Sequence, residues 1–199
     1  MTTDEVHQNE DHLRRVFKSK RFLDLQGLGG DIPHFIYPFD PADAEEGNES
    51  RERLIKHLKG EGITVTDINL YDLASDLIKE RGLWDRVLEM EAKQPKERFL
   101  KGLQSMLSAE SHLAPAIKGR ISSEDPDIVF LSGVGEVFPY IRTHNILSVL
   151  ERVVTDRPLV VFFPGQYLKD EHSGSSLTLF NRLTSDRYYR ARNILDQEA

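Results

Sequence analysis

Two uninterrupted apolar runs of strand length dominate the hydrophobic pattern of the chain. The first covers residues 128–131 and is followed by two glycines that bracket one residue, and then by apolar residues at helical spacing. The second covers residues 158–165 and ends at the breaker Pro164-Gly165. A strand that is apolar on both faces is typical of a parallel sheet covered by helices. The pattern therefore predicts an α/β fold in which these two runs are central strands.

Weaker patterns predict two earlier strands. Residues 32–39 are mostly apolar and carry a proline near each end, where the missing N–H does least harm to a sheet. Asp40 and Pro41 then have the residue types of a helix N-cap and first helical position. Residues 61–70 alternate between apolar and polar side chains, which indicates a strand nearer the edge of the sheet.

Residues 70–119 show only helical patterns. The first of these helices has an unbroken apolar stripe after the capping residue Asn69, and three more short helices follow. A connection between parallel strands needs only about a dozen residues, so we expect a helical insertion between the second and third strands. With 199 residues, the chain is predicted to be one α/β domain, with a mainly parallel Rossmann-like sheet flanked by helices.

The two ends of the chain give weaker signals. Residues 1–10 are polar and acidic, and we expect them to be frayed or disordered. Residues 166–176 are predicted to form a polar loop that is mobile across residues 169–174, and residues 177–183 fit a short helix. The pattern does not decide the conformation of residues 184–199.

Composition excludes several classes of site and surface. The chain has no cysteine, which excludes disulfides, thiolate metal sites and cysteine nucleophiles. Its formal charge of −7 argues against a generally basic surface for nucleic acids. No signal peptide or membrane-spanning run is found, so the cytoplasm is the expected location and no membrane contact is expected.

The glycine turn after the first apolar run is the best candidate for a ligand or interface site. In open α/β sheets, ligands bind beyond the carboxyl ends of the strands, and this edge should gather Gly133, Gly135, Glu136 and Gly165. The turn is an incomplete dinucleotide fingerprint, because Phe138 stands where a third glycine is needed, and it lacks the lysine of a P-loop. Two interpretations stay open: a ligand cradle, or simply a sharp strand-to-helix turn.

Arg142 and a separate group of five basic side chains are further candidates. Arg142 is predicted near the positive end of a helix dipole, a mismatch that indicates an acidic partner such as Glu136. A second group lies on the predicted first helix and could contact DNA or an acidic protein, or could simply be a solvated helix face. Its members are Arg14, Arg15, Lys18, Lys20 and Arg21.

No recognisable catalytic or metal-binding motif is present. The nucleophile elbow of serine hydrolases is missing, and Ser132 has no obvious histidine partner. The seven histidines are scattered, without the pairs typical of metal ligands. The sequence therefore predicts neither a cofactor nor a metal.

Seven segments, spread from about residue 22 to residue 194, together resemble the BrxB family of bacteriophage exclusion (BREX) systems. The block at residues 127–139 is the most specific of them. The segments are Gly27-Leu28-Gly29, Pro33-His34-Phe35-Ile36-Tyr37, Asn69-Leu70-Tyr71, His112-Leu113-Ala114-Pro115-Ala116-Ile117, residues 127–139, Phe162-Phe163-Pro164-Gly165 and Tyr188-Tyr189-Arg190-Ala191.

The resemblance implies a function and a partner. It implies a degenerate P-loop-like sheet without a Walker A loop, in a non-catalytic protein that supports host DNA methylation and phage restriction by binding other BREX proteins. The partner it favours is PglZ. Two alternatives stay open: a nucleotide-binding or hydrolytic regulator with a divergent site at the turn of residues 133–136, and direct DNA contact through the basic helix.

Overall fold

The computed structural model describes residues 3–170, 174–185 and 189–199. Eight α-helices are assigned in these residues: α1 (Thr3–Lys18), α2 (Lys20–Leu23), α3 (Ala44–Gly60), α4 (Leu70–Glu80), α5 (Trp84–Lys93), α6 (Lys96–Met106), α7 (Ala114–Glu124) and α8 (Thr143–Leu150). The strands in the same residues are β1 (His34–Phe39), β2 (Val65–Asn69), β3 (Ile128–Ser132), β4 (Leu159–Asp170), β5 (Gly174–Leu179), β6 (Leu183–Thr184) and β7 (Arg192–Asn193). Short turns of 3-10 or π geometry complete the fold at Pro41–Asp43, Ala109–Leu113 and Ile194–Asp196.

The seven strands assigned in the described residues form a mainly parallel sheet, as the apolar runs predict. Its order is β2-β3-β4-β1-β7, and every neighbouring pair in this series is parallel. The two strands with continuous apolar runs, β3 and β4, lie side by side in the interior, while the alternating strand β2 lies at the edge. Both positions agree with the sequence prediction.

Helices cover both faces of the sheet, and each face has its own apolar core. Alternate side chains of β3 face opposite cores: Phe130 packs with helices α1 and α3, and Leu131 packs with the helices of the insertion. Both side chains are fully buried. Burying a side chain of this size contributes about 1.5–3 kcal/mol to stability, which explains why an unbroken apolar run is needed here.

The predicted helical insertion is present between β2 and β3. It consists of α4, α5, α6, the π turn and α7, and so it extends a few residues beyond the predicted end at residue 119. Asn69 caps α4 as expected, because its Oδ1 accepts hydrogen bonds from the N–H groups of Tyr71 (2.7 Å) and Asp72 (3.2 Å).

Helix α1 begins at Thr3, whereas the sequence predicts that residues 1–10 are frayed. Glu10 is buried, and its carboxylate accepts hydrogen bonds from Arg14 (2.5 Å), Arg53 (3.0 Å) and Ser50 (3.1 Å). Two of these partners belong to α3, so polar contacts at Glu10 join the two helices beside the apolar core that α1 shares with α3.

The C-terminal part also differs from the prediction. Residues 166–170 continue β4, and residues 174–179 form β5, which pairs with it in antiparallel fashion where a loop and a helix were expected. Residues 171–173 of the predicted mobile loop lie outside the described residues. The undecided C-terminal segment includes β7, which adds a short parallel edge beside β1.

Candidate functional site

The carboxyl ends of the parallel strands meet at one edge of the sheet, where the sequence predicts the site. β1 ends at Phe39, followed by Asp40, whose carboxylate caps the 3-10 turn by accepting a hydrogen bond from Ala42 N (2.9 Å). β2 and β3 end in register at Asn69 and Ser132. The glycine turn leaves β3 directly at this edge, next to Pro164 of β4.

Gly133 is required by a close approach to the start of α4. Its φ of +74° is in the left-handed region, and a Cβ at this position would lie 2.5 Å from Asn69 Oδ1. That oxygen is the acceptor that caps α4. The first glycine of the turn therefore serves the cap of a neighbouring helix.

The other two candidate glycines make room for the β4–β5 hairpin. A Cβ on Gly135 would lie 2.7 Å from the Phe180 ring and 3.0 Å from Pro164. A Cβ on Gly165, whose φ is +154°, would lie 2.1 Å from the carbonyl oxygen of Thr178 on β5. The close approach that these glycines permit is to the chain itself.

A cavity of about 300 Å³ remains at this edge. Its walls include the rings of Phe39, Phe162 and Phe180. Among the described residues that line it, Glu136 carries the only charge, and it is negative. Such a wall disfavours phosphate, which proteins bind with backbone N–H groups and cationic side chains.

Ser132 is the one buried hydroxyl that faces this cavity in the described part of the chain. Its side chain is 1% exposed and its Oγ has no hydrogen-bond partner among the described residues. No histidine lines the same cavity, so the described residues place no imidazole base beside this hydroxyl.

The structure does not bring Arg142 to Glu136. Arg142 is the N-cap residue of α8 and lines two other cavities, whereas Glu136 lines the cavity beside Ser132. Both side chains are exposed, and neither forms an ion pair with any described residue. The pairing expected from the helix dipole is therefore absent from this structure, and Arg142 has no ion-pair partner in the part of the chain that the structure describes.

The predicted basic group on the first helix is neutralised in part. Arg14 pairs with Glu10, Lys18 pairs with Glu61 (2.8 Å) and Arg21 pairs with Glu198 (2.5 Å). The other two members, Arg15 and Lys20, are exposed and make no ion pair with a described residue. Most of the charge that would attract DNA is thus balanced by carboxylates.

One buried histidine lies at the opposite end of β1. His34 is 2% exposed, and its Nε2–H donates a hydrogen bond to the carbonyl of Val154 (2.9 Å). Burial lowers the pKa of His34 to about 4, although the bond to Val154 favours the charged form. The position of this histidine, away from the carboxyl ends of the strands, makes it a structural group rather than part of the candidate site.

Two structural features are absent from the described residues. No group of three or more histidine, aspartate or glutamate side chains in ranges 3–170, 174–185 and 189–199 is arranged to hold a metal ion. Within the same ranges, no helix is both long enough and apolar enough to cross a bilayer.

Sequence reasoning missed the residue that shapes the candidate site most. Phe180 follows β5 at a position where the pattern predicts a helix, and its ring covers Gly135. The second half of β4 is mostly polar, so its sequence has no apolar run that would predict the β4–β5 hairpin.

Comparison with known proteins identifies the family. The family model described as "BREX protein BrxB" matches residues 66–194. A "BREX protein BrxB" of Bacillus cereus (strain H3081.97) is 30% identical over 194 residues, which cover 96% of this chain and 98% of that relative. A protein of the same name from Escherichia coli O9:H4 (strain HS) is 32% identical over 176 residues, 88% of this chain and 84% of the relative. No solved structure matches. The chain belongs to the BrxB family of BREX proteins.

Proposed function

We propose that this BREX component is a non-catalytic assembly protein, which supports host DNA methylation and phage restriction by binding other BREX proteins, PglZ first among them. Membership of the BrxB family places the chain in a BREX system. The proposed role within the system rests on what occupies the functional edge of the sheet.

The observation that carries the proposal is the contact between the glycine turn and Phe180. In an open α/β sheet, a ligand binds where backbone is left bare beyond the strand ends. Here the ring of Phe180 and the ring of Pro164 occupy the space that a side chain on Gly135 would need. A glycine whose open side is taken up by the chain's own side chains supports a structural role for the turn.

The charge at this edge supports the same conclusion. The cavity beside Ser132 is lined by aromatic side chains and by the carboxylate of Glu136, and by no lysine or arginine among the described residues. A nucleotide-binding or hydrolytic regulator would need cations or free N–H groups for its phosphates. That alternative therefore has less support.

Exposed apolar side chains support a protein-binding role. Large apolar residues that are at least one-third exposed occur on the strand-end surface, the insertion and the hairpin: Tyr71, Trp84, Leu88, Phe138, Leu168 and Leu183. Aromatic side chains and arginines are the residue types that most often anchor protein interfaces.

Pairwise co-expression tests the assembly role. Tagged protein is expressed with each BREX protein in turn, beginning with PglZ, and is purified at low and at high salt. We expect a stoichiometric complex with at least one BREX protein, stable on size-exclusion chromatography with light scattering. Absence of any complex at both salt concentrations would reject the assembly role.

A second experiment tests the non-catalytic part. The variants Ser132→Ala and Glu136→Gln remove the hydroxyl and the charge of the cavity without adding bulk. We expect cells that carry either variant to keep wild-type methylation and phage restriction. Loss of defence by a variant that still forms the complex would instead indicate chemistry at this cavity.

A further inference from the structure

A second cavity, of about 520 Å³, lies between the start of α8 and the β5–β6 hairpin. We call it the hairpin cleft. Its floor is apolar and includes Phe163, Leu177 and Leu179, which are buried. Its rim carries two apolar side chains that face solvent, Leu183 (44% exposed) and Phe138 (36% exposed). The cleft therefore offers a packed apolar floor below an open rim.

The rim of the hairpin cleft is positively charged. Arg142 and Arg182 both line it and are exposed, and neither makes an ion pair or a side-chain hydrogen bond with any described residue. No aspartate or glutamate is among the described residues that line it. This positive rim stands on a chain whose formal charge is −7. Two arginines without an ion-pair partner among the described residues, beside a common apolar floor, are thus a local departure from the charge of the molecule.

The position of Arg142 strengthens the positive potential of the rim. It precedes α8 as the N-cap residue, and its side chain makes no capping hydrogen bond. The N-terminal end of a helix carries a partial positive charge, so a cation here is unfavourable unless an anion joins it. An incoming carboxylate would relieve this repulsion.

We infer that the hairpin cleft binds an acidic segment of a partner protein. In this arrangement an apolar side chain of the segment packs against Phe138 and Leu183, which are exposed above the apolar floor. Flanking carboxylates accept hydrogen bonds from Arg142 and Arg182. The inference rests on the proposed assembly function and names the surface and the kind of partner segment. Guanidinium–carboxylate pairs are strong and directional, and a partner that excludes water from the cleft strengthens them further.

The apolar floor favours a peptide over a nucleic acid. A nucleic acid is held by a row of cations along its phosphates, whereas the described lining of the cleft offers two arginines over buried aliphatic and aromatic side chains. A peptide with an apolar residue between acidic residues matches both features.

Charge reversal tests the inference. The double variant Arg142→Glu with Arg182→Glu is compared with a matched control, Arg86→Glu with Arg98→Glu, in two other exposed arginines that make no ion pair with a described residue. Both variants change the formal charge equally. The probes are overlapping peptides that tile the sequences of the BREX proteins captured by the wild-type chain. We expect wild type to select acidic peptides with an apolar centre, and the cleft variant to lose at least about tenfold in affinity while the control stays near wild type.

A variant that leaves the charge unchanged tests the apolar part. Leu183→Ala shortens the exposed rim and should weaken peptide binding several-fold. Leu88→Ala removes a side chain of similar exposure (48%) from α5 and should leave binding unchanged. Circular dichroism of each variant verifies that the fold is intact.

The outcomes separate the inference from the function on which it rests. Full retention of a BREX complex by the cleft variant, or selection of basic peptides, would overturn the inference while the assembly role stands. Failure of the wild-type chain to form any BREX complex would reject the assembly role itself. Binding of duplex DNA through the two arginines, without selection of any peptide, would likewise overturn the inference.

Discussion

Gly135 and Phe180 touch across the carboxyl edge of the sheet, so closely that a Cβ on Gly135 would lie 2.7 Å from the ring. The ring also makes an edge-on contact with Phe138, with centroids 6.5 Å apart. Phe180 adopts a left-handed φ of +54° and donates its N–H to the carbonyl of Pro164 (2.9 Å). The hairpin and the glycine turn are therefore one packed unit.

Substitution of Gly135 should destabilise the protein through this contact. The added methyl group of Gly135→Ala meets both Phe180 and Pro164, and overpacking of this kind costs about 1–3 kcal/mol. Urea unfolding measures the loss. Gly135→Ala should cost much less when it is introduced into the Phe180→Ala variant than when it is introduced into the wild type, because the ring is the nearer obstacle.

Gly119→Ala is the matched control for that experiment. Gly119 lies within α7, and a Cβ there meets no atom within 4 Å. Alanine in a helix is favoured over glycine by about 0.5–1 kcal/mol, so this variant should be neutral or more stable. If Gly135→Ala were as stable as Gly119→Ala, the turn would have room for a ligand and the packed-unit interpretation would be wrong.

Nucleotides should not stabilise the fold. ATP, GTP and NAD meet a cavity whose charged lining, among the described residues, is the carboxylate of Glu136. A nucleotide at a hundredfold over a real dissociation constant would add about 2.7 kcal/mol to the free energy of unfolding, which a thermal-melt assay detects easily. A reproducible rise in Tm with any of them would favour a regulator with a divergent site.

The sheet and its insertion could be predicted because strands buried on both faces have continuous apolar runs and helices buried on one face have apolar residues at helical spacing. β3 is buried at every position, and its unbroken apolar run is visible without any alignment. β2 lies at the edge of the sheet, and burial alternates along it, with Thr66 and Ile68 buried and Asp67 exposed. The apolar stripe of α4 follows from a cap and helical periodicity alone. In these elements the local pattern and the tertiary fold agree.

The turn between β5 and β6 could not be predicted because it lacks the usual residue types. A tight hairpin turn whose two central residues have positive φ is normally signalled by Asn-Gly or Asp-Gly. Here the N–H of Arg182 donates to the carbonyl of Leu179 (3.1 Å), and the two central residues are Phe180 (φ +54°) and Asn181 (φ +57°). Phenylalanine rarely adopts this conformation, and its packing against Gly135 is a contact between distant residues that a local pattern does not contain.

The start of the first helix and the contacts of the candidate charges could not be predicted from local patterns. Glu10, near the start of α1, pairs with Arg53, which is 43 residues away. The separation of Glu136 and Arg142 depends on the path of the chain between them, which turns before α8 begins at Thr143 instead of continuing as a helix. The sequence identifies these charged residues, but only the fold shows which of them form ion pairs.

Removal of the Glu10 charge should loosen the first helix. Glu10→Gln leaves Arg14 and Arg53 without their shared carboxylate. Because these arginines are 36% and 37% exposed and remain solvated, we expect a loss of about 1.5–3 kcal/mol, the range for hydrogen bonds to charged groups. Urea unfolding should show this loss, and limited proteolysis should cut α1 first. Asp11→Asn is the control, because Asp11 is exposed and lies 3.9 Å from Arg14. It should change stability by only a few tenths of a kcal/mol.

The same carboxylate predicts a loss of stability in acid. Burial opposes ionisation of Glu10, but the hydrogen bonds and charges of Arg53, Ser50 and Arg14 together lower its pKa below the ordinary value. A carboxylate whose pKa is lower in the folded than in the unfolded state stabilises the fold at every pH above its unfolded-state pKa. This contribution disappears as the pH falls through the folded-state pKa. The difference in unfolding free energy between wild type and Glu10→Gln should therefore become smaller as the pH is lowered. A deficit that is constant with pH would contradict the role of the charge.

His34 should give the protein a second pH dependence, at higher pH. Its folded-state pKa of about 4 lies below the ordinary value of 6.5, so the unfolded chain binds the proton more tightly than the fold does. Stability is therefore complete above about pH 6.5 and falls as the pH drops toward 4, by on the order of 3 kcal/mol. His34→Gln should remove this slope from urea unfolding curves, whereas His57→Gln, in a partly exposed histidine of α3, should keep it. If the dependence of unfolding free energy on pH were unchanged in His34→Gln, another group would have to take up the proton. The buried hydrogen bond to Val154 would then have no part in the acid sensitivity of the fold.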